Sequence, residues 1–177
     1  MLLPPPKGSW LPHQGNFMNI RRAKNKDIPK INDLLTQVLK IHADIRPDIF
    51  IPDTTKYTNP ELEQMVLDDQ NPIFVATDDK DEVIGYAFCR IKEPYISNNM
   101  IPFKSFFIDD LCVDQTMRGM NIGRHLFEFA KEEAKRLGCY ELTLNVWEGN
   151  DTAKHFYEKM GMSPKKTLMQ CILKEKN

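Results

Sequence analysis

One segment changes its hydrophobic period, and that change restricts the fold more than any other feature of the chain. In "KSFFIDDLCV" (residues 104–113) apolar, strand-favouring residues dominate. Past "DQTMRGMNIG", the positions Ile122, Leu126, Phe127, Phe129, Ala130, Ala134 and Leu137 recur on one helical face up to Gly138. Strand side chains repeat every second residue and helix side chains about every 3.6, so one element must end and the other begin inside the glycine-flanked turn. Gly138 then fits the left-handed residue that closes a helix.

Similar signals place the other elements. Met18–Arg22 has room for a short strand. Asp27 is the expected N-cap of a helix whose first turn holds Pro29, followed by Ile28, Ile31, Leu34, Leu35, Val38 and Ile41 at helical spacing. Pro47 and Pro52 exclude a continuous helix through "ADIRPDIFIPDTTKY", and Asn59–Pro60 restarts a short one. "PIFVAT" (72–77) and "VIGYAFCRI" (83–91) flank the acidic turn "DDKDE" as a hairpin. "YELTLNVW" (140–147) alternates as a half-buried strand does. A short helix capped by Asn150 or Asp151 ends at Gly161, and "KTLMQCIL" (166–173) reads as a final strand. The order β-α-α-β-β-β-α-β-α-β implies a single-domain α/β fold with a mixed, partly antiparallel sheet flanked by helices.

Composition narrows the functional classes. Twenty-four basic and twenty-five acidic residues leave a net charge of −1, which lacks the basic excess of a nucleic-acid binder. No apolar run reaches the roughly 18 residues that span a bilayer. Cys89, Cys112, Cys139 and Cys171 are scattered singly in apolar runs, so they read as reduced core thiols with no metal site among them. The opening "MLLPPPKGSWLPHQGNF" lacks a signal peptide's apolar core. Residues 1–17 are read as a disordered leader, with Met18 as the natural start, 18–177 as the domain and the location as cytoplasmic.

The turn itself allows two readings. Gly119 and Gly123 could relieve crowding where a strand meets a helix, or the first amides of the helix could receive an anion beside Arg118. The turn lacks the Lys-Ser/Thr pair of a P-loop, and its position and spacing are wrong for a dinucleotide fingerprint.

"IDDLCVDQTMRGMNIGRHLFEFA" resembles the acyl-CoA-binding segment of the GNAT superfamily of N-acetyltransferases. Arg118 and Gly123 match that signature, and Asn121 replaces its inner glycine; asparagine best tolerates the positive φ that glycine would supply. "NDTAKHFYEKMGM" resembles the superfamily's second signature, and the element order is also similar. The resemblance covers residues 18–174 and implies the acyl-CoA N-acyltransferase fold. It implies that pantetheine pairs with the strand edge at Leu111, Cys112 and Val113. The diphosphate would rest on the turn and helix start formed by Arg118, Gly119, Met120, Asn121, Ile122, Gly123 and Arg124.

Acetyl transfer to an amine needs a base for the ammonium proton and an acid for the departing thiolate. Side chains alternate along a strand, so only one of Asp109 and Asp110 is expected on the acceptor side. Similarity to polyamine-type members favours Asp109 as the base, leaving Asp110 among the acceptor contacts. Tyr157 is the acid that the resemblance implies, and Asn150 both caps its helix and touches the cofactor. Arg46, Asp48 and Phe50 are the further expected acceptor contacts. Cys112 has no paired histidine in view, which favours direct transfer over an acetyl-cysteine.

The leading expectation is therefore an acetyl-CoA-dependent N-acetyltransferase acting on a primary amine of a small molecule, with no metal, nucleic-acid or membrane partner. A protein N-terminus or lysine as acceptor, and a non-catalytic acyl-CoA sensor, stand as alternatives. Homodimers are common among such proteins.

Overall fold

The computed structural model describes residues 18–173. The leader lies outside them. Strands β1 (Asn19–Arg22), β2 (Ile73–Thr77), β3 (Val83–Lys92), β4 (Ser105–Val113) and β5 (Glu141–Leu144) form one sheet in the order β1-β2-β3-β4-β5. Successive pairs are antiparallel except the last, where β4 and β5 run parallel. Helices α1 (Ile28–Ile45) and α2 (Asn59–Met65) precede β2, α3 (Ile122–Arg136) links β4 to β5, and α4 (Asp151–Lys159) follows β5.

Alternation along the central strands divides the core in two. Ile73, Val75, Tyr86 and Phe88 point toward Ile31, Leu34 and Leu62 of α1 and α2. Phe74, Ala76 and Ala87 point the other way, toward Leu126, Phe127 and Ala130 of α3. Both faces of β2 are therefore dry, which accounts for its unbroken apolar run. Among the described residues, no helix is long and apolar enough to cross a membrane.

One expectation about elements is refined and another corrected. Asp27 occupies the N-cap position of α1 as expected but makes no side-chain capping bond; its buried carboxylate accepts from Arg21 at 2.7 Å and from the Lys24 amide at 2.8 Å. A charged guanidinium is the stronger partner, so the acid ties β1 to the start of α1 instead. The strand expected at 166–173 is absent, and residues 163–173 form no regular element. Leu168 and Leu173 are more than nine-tenths exposed, and Cys171 is exposed with them. Alternation signals strand propensity, but a strand also needs an edge to pair with, and β5 is only four residues long. Side-chain contacts hold this segment instead, with Lys165 donating to Glu141 and Arg46 reaching Gln170 at 3.5 Å.

Candidate active site

The parallel ladder between β4 and β5 runs from Ser105↔Glu141 to Ile108↔Leu144 and stops. β4 continues to Val113 with only β3 beside it. Along 109–113 the strand therefore presents an open edge on the β5 side. Such an edge can receive an extended ligand through main-chain hydrogen bonds. Leu111 and Val113 on this stretch turn toward α3, and buried Cys112 turns toward α1.

Beyond β4, buried Asp114 fixes the start of the turn. It accepts from Lys30 at 2.6 Å and from the Thr116 amide at 3.0 Å, and these bonds hold its carboxyl down at about 2. Exposed Arg118 is extended, Gly119 has φ 84°, and Asn121 takes the left-handed region with φ 61°. Asn121 thus adopts the conformation expected of it. No side chain caps α3, and His125 is the first residue of the turn whose amide reaches back to Asn121, at 3.1 Å. The amides of Ile122, Gly123 and Arg124 consequently have no intrahelical carbonyl. Met120 and Arg124 beside them are exposed. A β-carbon on Gly119 would meet nothing within 4 Å, so its positive φ is what demands glycine there. Asn121→Val is expected to lower stability by about 1–2 kcal/mol, and Asn121→Gly to leave it unchanged or higher. Urea midpoints check both.

The expectation that only one of the two acids faces the acceptor side is overturned. Phe88 pairs with Asp110 and Cys89 with Ile108, so Asp109 is an extra residue that β3 does not match. This is a β-bulge, and it resets the alternation. Phe106 and Ile108 face α3 before it, whereas Leu111 and Val113 face α3 after it. Asp109 and Asp110 both emerge on the α1–α2 face, where Lys56 lies 3.1 Å from Asp109 and 3.8 Å from Asp110.

Their surroundings differ. Asp109 is partly exposed and lies 4.0 Å from Arg90. It borders a cleft of about 450 Å³ walled by Tyr57, Met65, Phe88, Asn71 and Arg90. The Asp110 side chain is only 9% exposed and accepts from the Tyr86 hydroxyl at 3.2 Å. Burial raises the Asp110 carboxyl from 3.8 to about 6, against the opposing pull of Lys56 and Tyr86. Lys56 experiences the converse. Burial pulls its ammonium down, and Asp110 and Asp109 together outweigh that and leave it raised. Burial also pushes the Cys112 thiol up to about 12, so it is a poor nucleophile at neutral pH.

Asn150 caps α4 by accepting from the Ala153 amide at 3.2 Å. Two helical turns later Tyr157 packs against Phe127 and Phe156, with ring centroids 6.1 and 5.1 Å away. Burial, with a smaller contribution from the charge on Asp110, holds its phenol above the ordinary range, and the hydroxyl keeps its proton at neutral pH. On the α1 side, Phe50 lies between His42 at 5.1 Å and Trp147 at 5.5 Å. Arg46 donates to Asp48 at 2.6 and 2.8 Å and lies over the Trp147 ring. Arg46, Asp48 and Phe50 therefore form one cluster, in which the arginine and aspartate engage each other.

Lys56, Tyr57 and Tyr86 were not singled out from sequence. Tyr86 sits among the apolar residues of β3, and its polar tip is its only distinguishing feature. Lys56 and Tyr57 follow two prolines in a segment without periodicity. Among the described residues, no cluster of three or more His, Cys, Asp or Glu side chains is arranged to hold a metal ion.

Residues 35–162 match the Acetyltransferase (GNAT) family. Glucosamine 6-phosphate N-acetyltransferase of Arabidopsis thaliana is 39% identical over 66 residues, which make up 37% of this chain and 42% of that enzyme. The match thus spans less than half the length of that relative. The peptidyl-lysine N-acetyltransferase YjaB of Salmonella typhimurium is 28% identical over 147 residues, covering 82% of this chain and 83% of that one. Among solved structures, a mutant of the BH1408 protein of Bacillus halodurans superimposes with a TM-score of 0.83 at 30% identity, covering 88% of this chain and 99% of that one. With residues 35–162 matched to the family and a five-stranded mixed sheet that opens at β4, this chain belongs to the GNAT family.

Proposed function

We propose that the chain moves an acetyl group from acetyl-CoA directly to the primary amine of a small molecule. The observation that carries this reading is the position of the bulge. Two carboxylates emerge on the acceptor face immediately before the open edge of β4, where an extended pantetheine could pair with residues 111–113. Uncapped amides at the start of α3, with Arg118 nearby, suit a diphosphate. The cleft beside Asp109 falls within the size range of small-molecule sites, roughly 300–1,000 Å³.

The two acids divide the work, with roles exchanged from those the sequence suggested. Asp110 is the better base. Its carboxyl, raised to about 6, is still ionised at neutral pH and sits closer to the ammonium it must deprotonate than an ordinary carboxylate does. Asp109, more exposed and at the mouth of the cleft, attracts and orients the incoming ammonium. The free amine attacks the thioester carbonyl, and the C–S bond breaks as the amide forms. Tyr157 hydrogen-bonds the departing thiolate and hands over its proton as charge develops on sulfur. Acetyl-CoA supplies the activated acyl group; the protein orients it and manages the protons.

Transfer to a lysine side chain of a protein is a second reading, and the relation to a peptidyl-lysine acetyltransferase over 82% of this chain favours it. One experiment separates these readings from cofactor sensing. Free thiol released from acetyl-CoA is followed with a panel of small amines and with lysine peptides, after calorimetry has established coenzyme A binding. Turnover with small amines supports the proposal, and turnover with peptides alone transfers the assignment to the second reading. Tight binding with no productive acceptor would leave only a sensor.

A further inference from the structure

Lys56 sits where an acceptor would. It projects from the segment between α1 and α2, and its ammonium lies 3.1 Å from Asp109 and 3.8 Å from Asp110. No other amine is paired with either acid among the described residues, and Arg90, whose guanidinium is no acyl acceptor, is the only other cation paired with them, 4.0 Å from Asp109. The Tyr57 ring, 5.3 Å from the ammonium, shields it on one side. The lysine thus brings a primary amine on a flexible stem to the acid pair. That pair directly precedes the strand edge 111–113. From the standpoint of the chemistry, this amine is an acceptor already bound.

We propose that Lys56 is a site of self-acetylation, modified by the acetyl-CoA bound to its own chain when no external amine occupies the acceptor cleft. The inference rests on the acetyltransferase reading given above. The ammonium of Lys56 gives one proton to the Asp110 carboxylate, which passes it to solvent. The free amine attacks the thioester carbonyl, an N–C bond forms and the C–S bond breaks. The second proton lost by nitrogen ends on the sulfur. The products are an acetamide on Lys56, coenzyme A as the thiol, and one proton released. No oxidant, reductant or further reactant is needed.

The reaction has a consequence for the site. Acetylation removes the positive charge that pairs Asp109 with Asp110, while the longer, neutral side chain still occupies their surroundings. An external ammonium then meets two carboxylates without their internal counter-ion, together with a bulkier wall. Because the amine starts as a tightly paired ammonium, the step is slower than turnover with an external acceptor that arrives from solution.

The full-length chain incubated with acetyl-CoA and no amine provides the test, read by intact mass and peptide mapping. The expected result is a gain of one acetyl group per chain, mapped to Lys56, with a first-order rate that does not change with protein concentration. Tyr157→Phe should slow the gain at least about tenfold. Lys56→Arg, which keeps the cation and cannot form a stable amide, should abolish it. Acetyl groups spread over several surface lysines, a rate that rises with protein concentration, or an equal gain in the heat-unfolded chain would each overturn the proposal. If external amines are acetylated while Lys56 stays unmodified, self-acetylation alone falls. If coenzyme A does not bind at all, the acetyltransferase reading falls with it.

Discussion

Asp110→Asn is expected to lower turnover about a hundredfold while coenzyme A binding persists, the loss that follows removal of a positioned general base. The asparagine amide matches the carboxylate in size and can still accept from Tyr86, so packing around β4 is retained. The pH profile gives the sharper test. In the wild-type chain the rate should rise with pH through about 6 as the Asp110 carboxylate forms, and the variant should lack that limb. Stability moves in the opposite sense. Because the folded-state pKa lies above the ordinary value of 3.8, the folded chain holds a proton that the unfolded chain has already released. This group's contribution to stability is therefore greatest below that window and is lost as pH rises from 3.8 to about 6. Urea midpoints across the same range should show the wild-type decline flattened in Asp110→Asn. A variant that turns over at the wild-type rate, with the acidic limb intact, would transfer the base to Asp109.

Tyr157→Phe is expected to reduce turnover at least about tenfold with acetyl-CoA affinity unchanged. The substitution keeps the ring that meets Phe127 and Phe156, and removes only the hydroxyl. The wild-type phenol stays protonated throughout the neutral range because its pKa is held up by burial, so the defect should be nearly independent of pH between neutrality and mild alkalinity. An isotope-exchange or single-turnover measurement would locate the loss in the chemical step. Undiminished turnover would remove the phenol from proton transfer. A matching loss of affinity would make it a packing residue.

Much of this fold was legible because burial on both faces leaves a strong mark. β2 and β3 read as strands from their apolar runs, and α3 read as a helix from the face that carries Leu126, Phe127 and Ala130. The turn was legible in finer detail, since an asparagine in the glycine position announced a left-handed residue and Asn121 has φ 61°. The acid pair was found, but its geometry was not. "IDDLCV" alternates acceptably in either phase, and an extra residue changes neither composition nor propensity. Only the pairing of Phe88 with Asp110 and Cys89 with Ile108 reveals it. Lys56 was missed for a related reason. The path of the segment after Pro52 is set by the side chains it meets, which leave no periodic signature. The final strand failed differently, because alternation describes what a segment could do and says nothing about whether an edge awaits it.

The extra residue at Asp109 also sets how this gene can vary. Substitutions along β4 alter one side chain at a time, and most would be absorbed locally. Deleting the codon for Asp109 would remove the bulge and leave Ile108 and Asp110 as successive residues opposite Cys89 and Phe88. Phe106 and Ile108 would keep the face they share with Leu111 and Val113, and the shortened strand would alternate regularly throughout. The sheet would thus lose nothing by that deletion while the site would lose one carboxylate, so the additional position serves the chemistry and not the core.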